Sequence, residues 1–139
     1  VRIKTAFHDV PVSRVMATKF ETLSPDDRVS QAVEHAYNGF QEDFPVVMDD
    51  ELVGVLMKQD VLVALHEFGP GALVGRVMRK EFTTVTTDQT LEQVYAAIQA
   101  CCCSSLPVLD SGRIVGLVTL EALGRYLVFA GAGSGASRG

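Results

Sequence analysis

The chain has 139 residues, of which 47% are hydrophobic and 21% charged, and its formal net charge is −5. This length fits one compact domain, and the apolar content is sufficient for a core. The acidic balance and the absence of a basic run in the sequence argue against nucleic acid or an anionic membrane surface as the main partner. No apolar stretch of the sequence reaches the roughly 18 residues of a membrane span.

The first half of the chain alternates strand-like and helix-like patterns. Residues 1–11 look like a lead-in from an upstream segment. Apolar residues recur at helical spacing after residue 28, and two β-rich runs flank the acidic turn Asp49-Asp50-Glu51, which predicts a hairpin. The predicted elements are a helical turn at 12–16, a strand at 22–24, a helix at 29–40, strands at 44–48 and 52–57, and a helix at 58–68.

The second half repeats this order after the linker Gly69-Pro70-Gly71. Thr90 is a good N-cap, and Gln93 three residues later completes a capping box. The glycine-rich end of the chain, residues 129–139, predicts a disordered tail. The predicted elements are a helical turn at 74–79, a strand at 84–86, a helix at 91–102, strands at 106–109 and 114–118, and a helix at 120–128.

The two halves are copies of one another at a constant offset of 62 positions. This offset carries Pro45-Val46 onto Pro107-Val108 and Gly54 onto Gly116, without a gap. Two copies are too few for a solenoid. We therefore predict an α/β (α+β) fold of two pseudo-symmetric β-α-β-β-α repeats packed through their sheets, neither of which folds well alone. The predicted divisions are a lead-in at 1–11, repeats at 12–68 and 74–128, a linker at 69–73 and a tail at 129–139.

This repeated pattern resembles a tandem pair of cystathionine-β-synthase (CBS) domains, a Bateman module. Each copy reads V-x-x-V-M, a threonine strand, a helix, P-V-hydrophobic, V-G-hydrophobic-hydrophobic and a helix, and the likeness covers most of residues 12–128. The resemblance implies a regulatory module rather than an enzyme. It further implies no required cofactor, an adenine nucleotide (ATP, ADP or AMP) as ligand, and a homodimer that biases an attached protein.

A finer likeness concerns three segments, 43–47, 54–56 and 116–127. They are similar to the CBS pair at the C-terminal end of site-two-type membrane zinc metalloproteases. This resemblance implies the cytoplasmic, cytosolic tail of a membrane protein, with the protease as the attached partner. The protease motif H-E-x-x-H is absent from this chain, because Pro70 stands where His66-Glu67 would require the second histidine.

In ligand-binding CBS copies the second strand ends in G-h-h-[ST]-x-x-[DN], and the resemblance assigns the hydroxyl to a phosphate and the carboxylate to ribose. Each copy here keeps half of that motif. Asp60 is present in the first copy, but Met57 replaces the hydroxyl residue. Thr119 is present in the second copy, but Ala122 replaces the carboxylate. We therefore predict at most one working cleft, around Asp60.

The remaining candidate ligand residues have structural alternatives. Lys58 is a phosphate partner by its position, and Thr22 and Thr84 stand where the family presents backbone to adenine or are simply strand threonines. Asp60 is a ligand for ribose or an acid favoured by the helix dipole. Thr119 is a plain N-cap or a phosphate ligand.

The three consecutive cysteines, 101–103, suit neither a mutual disulfide nor a chelate if they lie on one helix, because neighbouring helical side chains point about 100° apart. We interpret them as small buried residues, and their odd number favours a reducing compartment. No metal site, catalytic group or histidine cluster is predicted. The alternative to a nucleotide sensor is a dimerisation or partner-docking module whose clefts bind no ligand.

Overall fold

The computed structural model describes residues 9–39 and 41–138, with the backbone alone for 130–138. The chain forms two compact units. The two-stranded unit comprises Lys19–Phe82, and the three-stranded unit comprises residues 9–18 and 83–138. The α/β class and the two-repeat organisation predicted from the sequence are confirmed.

The two-stranded unit is built on an antiparallel hairpin covered by two helices. Its core contains Leu23, Phe44 and Leu56, all essentially inaccessible to solvent. The helix α2 begins and ends where the sequence predicts. The elements are α1 (Val29–Asn38), β1 (Phe44–Met48), β2 (Glu51–Leu56), α2 (Lys58–Phe68) and α3 (Val74–Val77).

The three-stranded unit repeats this design and adds a short parallel strand. Its helix α4 begins with the predicted capping box. The backbone amide of Gln93 donates to the Thr90 hydroxyl at 3.2 Å, and the backbone amide of Thr90 donates to the Gln93 side-chain oxygen at 2.9 Å. The elements are a 3-10 helix (Val12–Arg14), β3 (Val85–Thr86), α4 (Leu91–Cys101), β4 (Ser105–Asp110), β5 (Arg113–Thr119) and α5 (Leu120–Arg138).

The short segment that opens each sequence repeat packs within the unit of the other repeat. Val12 lies in the core of the three-stranded unit, and Val74 lies in the core of the two-stranded unit. Each segment then makes one antiparallel bridge to a hairpin strand, Ala17 with Leu117 and Arg79 with Val55. The compact units are therefore built from both sequence repeats.

The bridge brings backbone close to a glycine in each hairpin. A Cβ added to Gly54 would meet the Met78 side chain and would lie 2.9 Å from the Arg79 carbonyl oxygen. A Cβ on Gly116, the equivalent position, would meet Met16 and the Ala17 carbonyl in the same way. The repeated glycine is explained by this close approach.

Two elements differ from the sequence-based prediction. The strand expected at 22–24 is not formed, because Leu23 makes only a single parallel bridge to Val46 and a ladder needs consecutive pairs. The last helix does not end at Val128 but runs to Arg138, through the glycine-rich segment expected to be disordered. Glycine weakens a helix by about 1 kcal/mol per residue relative to alanine without blocking it, and three alanines alternate with the glycines here.

The expectation that the cysteines form no disulfide is wrong, because they do not share one helix. Helix α4 ends at Cys101, and Cys102 adopts the left-handed conformation at its C-cap. The chain therefore turns back, which brings the Cα atoms of Cys101 and Cys103 to 5.2 Å, and these two residues are joined in a disulfide. Cys102 is an exposed free thiol rather than the small buried residue that we expected.

The apolar stripe of α1 is buried over only half of its length. Val29 and Ala32 are inaccessible, whereas Tyr37 of the same helix is 88% exposed. Phe40, the predicted last member of the stripe, lies outside the described residues. In the part of the chain that the structure describes, no helix has both the length and the hydropathy to cross a membrane.

We expect Gly54→Ala to destabilise the protein by about 1–3 kcal/mol, because the new methyl group forces the Arg79 backbone away from β2. Gly124→Ala is the matched control, since a Cβ at this exposed helical position meets nothing within 4 Å and should stabilise the helix by up to about 1 kcal/mol. Urea unfolding of both variants measures the difference. Equal stability of the two variants would contradict the proposed close approach.

Candidate functional site

The carboxylate of Asp60 lies at the start of α2 and is held by three donors. The Met57 amide donates to Oδ2 at 3.0 Å. The Arg79 guanidinium donates from Nε to Oδ2 at 2.9 Å and from Nη2 to Oδ1 at 3.1 Å, a bidentate pair. The Asp60 side chain is 17% exposed and the Arg79 side chain 43% exposed. Asp60 thus caps its own helix and binds an arginine at the same time.

The hydrogen bond to Asp60 raises the pKa of Arg79 above its ordinary value. The guanidinium is therefore charged at any pH at which the protein is folded. A bidentate arginine–carboxylate pair combines charge with a fixed geometry. Arg79 accordingly fixes the orientation of the Asp60 carboxylate.

The first turn of α2 offers few free amides to a phosphate. The Lys58 amide donates to the Asp43 Oδ1 at 3.1 Å, and the Met57 amide donates to Asp60. Asp43 is buried, with 5% of its surface exposed. Protein carboxylates therefore already occupy the positive end of this helix dipole, where an anionic ligand would bind.

Lys58 forms an exposed ion pair rather than standing free. Its Nζ lies 2.9 Å from the Glu42 Oε1, and the two side chains are 64% and 59% exposed. The hydrogen bond to Glu42 raises the pKa of Lys58. Because both groups are well solvated, the ammonium can leave Glu42 at little cost.

The equivalent helix start in the three-stranded unit is capped by Thr119. Its Oγ1 accepts a hydrogen bond from the Ala122 amide at 2.9 Å, and the Leu120 amide donates to the Ser104 carbonyl at 2.8 Å. The N-cap alternative for Thr119 is therefore observed. Ala122 presents no carboxylate, as its identity dictates.

The two remaining predicted residues each precede a buried residue that pairs with a hairpin strand. Thr22 is exposed and precedes Leu23, whose amide donates to the Pro45 carbonyl at 2.9 Å. Thr84 is half-buried and precedes Val85 of β3. Asp60, Lys58 and Thr22 belong to the two-stranded unit, whereas Thr84 and Thr119 belong to the three-stranded unit.

Two residues of this site were missed by the sequence analysis. Arg79 and Asp43 contact the start of α2, although they lie 19 and 15 positions from their partners. The 62-residue offset between the repeats could have indicated Arg79. It carries Asp60 onto Ala122 and relates Arg79 to Ala17, so the acid and the base are present together or replaced together.

A second candidate surface is an apolar groove of about 370 Å³ between α1 and α2 of the two-stranded unit. Its exposed wall includes Tyr37 and Leu62, the latter 58% exposed. The groove floor is formed by Phe44 and Val61, and the Lys58–Glu42 pair lies at its rim. The described residues contain no group of three or more His, Cys, Asp or Glu side chains that could bind a metal ion.

The sequence profile of the CBS domain matches the chain twice, at residues 12–67 and 74–128. The chain belongs to the CBS-domain family. The partly exposed carboxylate of Asp60 and the capped start of α5 therefore lie in a CBS pair, at the positions that the two half-motifs occupy in the sequence.

Curated relatives contain a region similar to this CBS pair within much longer chains. The inosine-5'-monophosphate dehydrogenase of Korarchaeum cryptofilum is 34% identical over 105 residues, which are 72% of this chain and 21% of the relative. The enzyme of the same name from Staphylococcus haemolyticus is 30% identical over 111 residues, 77% of this chain and 22% of the relative. The chain thus spans about a fifth of the length of these relatives.

Solved CBS structures share the fold at low sequence identity. CBSX2 in complex with AMP is 23% identical and has a TM-score of 0.76, over 86% of this chain and 97% of that chain. The CBS domains of a transcriptional regulator from Streptococcus pneumoniae are 19% identical and have a TM-score of 0.74, over 84% of this chain and 98% of that chain. These similarities establish the CBS-pair fold.

A double-mutant cycle of Asp60→Ala and Arg79→Ala should give a coupling energy of about 1 kcal/mol, because the pair is bidentate but partly solvated. The same cycle for Glu42→Ala and Lys58→Ala should give less than about 0.5 kcal/mol, since both of those side chains are well exposed. Urea unfolding of the six variants and the wild type provides both values. Coupling near zero for Asp60 and Arg79 would show that the bidentate pair does not persist in solution.

Proposed function

We propose that this CBS pair is a regulatory module that senses an adenine nucleotide through one cleft, at Asp60. The observation that carries the proposal is a partly exposed aspartate at the first turn of α2, which lines a cavity together with Arg76. A carboxylate accepts hydrogen bonds from two vicinal ribose hydroxyls, and a guanidinium beside it can pair with a phosphate. Lys58 lies two positions from Asp60 but lines the groove between α1 and α2 instead. The AMP bound to CBSX2, a protein of the same fold, supports this ligand class.

The second copy lacks the carboxylate of the ligand motif, which limits the proposal to a single site. Ala122 cannot accept from ribose hydroxyls, and Thr119 is engaged as an N-cap. Losing charge-assisted hydrogen bonds costs about 1.5–3 kcal/mol each, which is one to two orders of magnitude in affinity. Regulation would then follow from one ligand that favours one of two conformations of an attached protein.

We further propose that the module belongs to a larger protein. Support comes from the curated relatives, in which the matched region is about a fifth of the chain. The resemblance of residues 43–47, 54–56 and 116–127 to the CBS pair of membrane zinc metalloproteases favours a cytosolic tail of such a protease. Expression of the full-length gene product and identification of its other domains would decide this point.

Ligand binding is tested by thermal unfolding with millimolar ATP, ADP, AMP or S-adenosylmethionine. A ligand at one hundred times its dissociation constant should add about 2.7 kcal/mol of stability and raise Tm by several degrees. Asp60→Asn should abolish the rise, because the amide offers one acceptor where ribose needs two.

Glu67→Gln is the matched control, since it removes one carboxylate charge from the exposed end of the same helix. It should leave the ligand-induced rise in Tm unchanged. The absence of a rise with all four ligands in the wild-type protein would eliminate the nucleotide proposal.

A second candidate function is a dimerisation or docking module, and the apolar groove between α1 and α2 favours it. Tyr37 and Leu62 line this groove and are 88% and 58% exposed. An exposed apolar patch is a feature of interaction surfaces. A second copy of this chain is the proposed occupant, as the resemblance to CBS pairs implies.

Leu62→Glu should dissociate such a homodimer, because it places a charge in the apolar groove. Analytical ultracentrifugation should then give the monomer mass of 15.0 kDa in place of twice that value. Gln99→Glu, the same charge change at an exposed position of α4, should leave the dimer intact. A wild-type protein that is monomeric at high micromolar concentration would refute this candidate.

A further inference from the structure

Arg79 occupies the carboxylate oxygens that the proposed ribose contact needs. A carboxylate offers about four acceptor positions, and Asp60 uses three of them on Met57 and Arg79. Two ribose hydroxyls therefore cannot both bind while Arg79 stays in place. A ligand that uses Asp60 must displace this guanidinium at least in part.

The Arg79 side chain can move although its backbone is fixed. The Arg79 amide donates to the Val55 carbonyl at 2.8 Å, and the Val55 amide donates to the Arg79 carbonyl at 3.0 Å. The side chain beyond this bridge is 43% exposed, and its only described partner is Asp60. Displacement from Asp60 thus leaves the guanidinium tethered beside the site and available to another anion.

The three-stranded unit shows that the fold does not require this ion pair. The equivalent bridge joins Ala17 and Leu117, with backbone hydrogen bonds of 2.8 and 3.0 Å. Ala17 and Ala122 replace the arginine and the aspartate in that unit. The pair is therefore a property of the Asp60 site and not of the backbone architecture.

The space beside Asp60 carries a second cation. A cavity of about 210 Å³ in the two-stranded unit is lined by Asp60, Arg76 and the apolar side chains of Val63, Ala64, Phe68 and Val77. Arg76 is exposed, and its side chain has no hydrogen-bond or ion-pair partner among the described residues. An anionic group that enters here meets an unpaired guanidinium and, once Arg79 has left Asp60, a second one.

We propose that Arg79 makes the Asp60 site selective for nucleoside phosphates over nucleosides. This inference depends on the proposed nucleotide function of the same carboxylate. A neutral nucleoside supplies two hydroxyl donors but leaves the displaced guanidinium without a counter-charge. A nucleotide supplies the same donors and a phosphate that pairs with that guanidinium, as arginine pairs bidentately with phosphate.

The test is isothermal titration of the whole chain with AMP and with adenosine. The wild-type protein should bind AMP at least tenfold more tightly than adenosine. Arg79→Ala should lower this ratio by at least about threefold, because adenosine no longer has to displace a cation and AMP loses one of its two guanidinium partners. Circular dichroism of the variant confirms that it is folded.

Two further variants separate the effect of Arg79 from that of general positive charge. Lys80→Ala removes the adjacent exposed cation and should leave the AMP-to-adenosine ratio at the wild-type value. Arg79→Lys keeps the charge without the bidentate geometry and should give an intermediate ratio. Adenosine affinity should rise in Arg79→Ala and remain unchanged in Lys80→Ala.

The remaining outcomes distinguish a failure of the inference about Arg79 from a failure of the proposed function. If the wild type binds AMP through Asp60 and Arg79→Ala keeps the wild-type ratio, the inference about Arg79 is wrong and the proposed function stands. If Arg79→Ala binds AMP or adenosine and the wild type binds neither, competition by Arg79 is supported and native sensing by this chain is refuted. If neither protein binds either compound at millimolar concentration, both proposals are refuted.

Discussion

Each unit depends on the backbone bridge between the short segment that opens a sequence repeat and the second strand of a hairpin. In the two-stranded unit, Val55 and Arg79 exchange both backbone hydrogen bonds, while Gly54 leaves room for Met78. The bridge ties a segment from one sequence repeat into the unit of the other, so each core is completed by residues distant in the chain. It also sets the position from which the Arg79 side chain reaches Asp60.

The chemistry of the site follows from this placement. A helix start is attractive to anions, and here two protein carboxylates, Asp43 and Asp60, already satisfy its first amides. Arg79 then balances the charge of Asp60 in a partly solvated position, where the net energy of the pair is small. A partly solvated ion pair can be opened by a ligand of modest affinity, provided that the ligand supplies hydrogen-bond donors to Asp60 and an anion to Arg79.

The two units differ in the side chains that they carry at equivalent positions. Where the two-stranded unit has Asp60 and Arg79, the three-stranded unit has two alanines and a threonine N-cap. The stripe of α1 remains half exposed around Tyr37, whereas Leu91, Val94 and Ile98 of the equivalent helix are buried. Both candidate surfaces, the carboxylate site and the apolar groove, therefore lie in the two-stranded unit.

The sequence by itself determined the two-copy organisation, the α/β class and the bounds of the strongly patterned elements such as α2. These depend on local periodicity and on a repeat that needs no knowledge of contacts. It also identified Asp60 and Thr119 as candidate residues, with an N-cap as one of the two roles offered for Thr119, since both belong to a motif only seven residues long.

Only the tertiary structure decided which segments share a core and which groups contact Asp60. The partner of Asp60 lies 19 positions away and reaches it across a backbone bridge, an arrangement that no local pattern encodes. The cysteine disulfide was missed for a related reason, because a single left-handed residue, Cys102, reverses the chain where the apolar pattern predicts a continuing helix. Long-range pairing and isolated backbone reversals leave little trace in periodicity, so they became visible only in the folded chain.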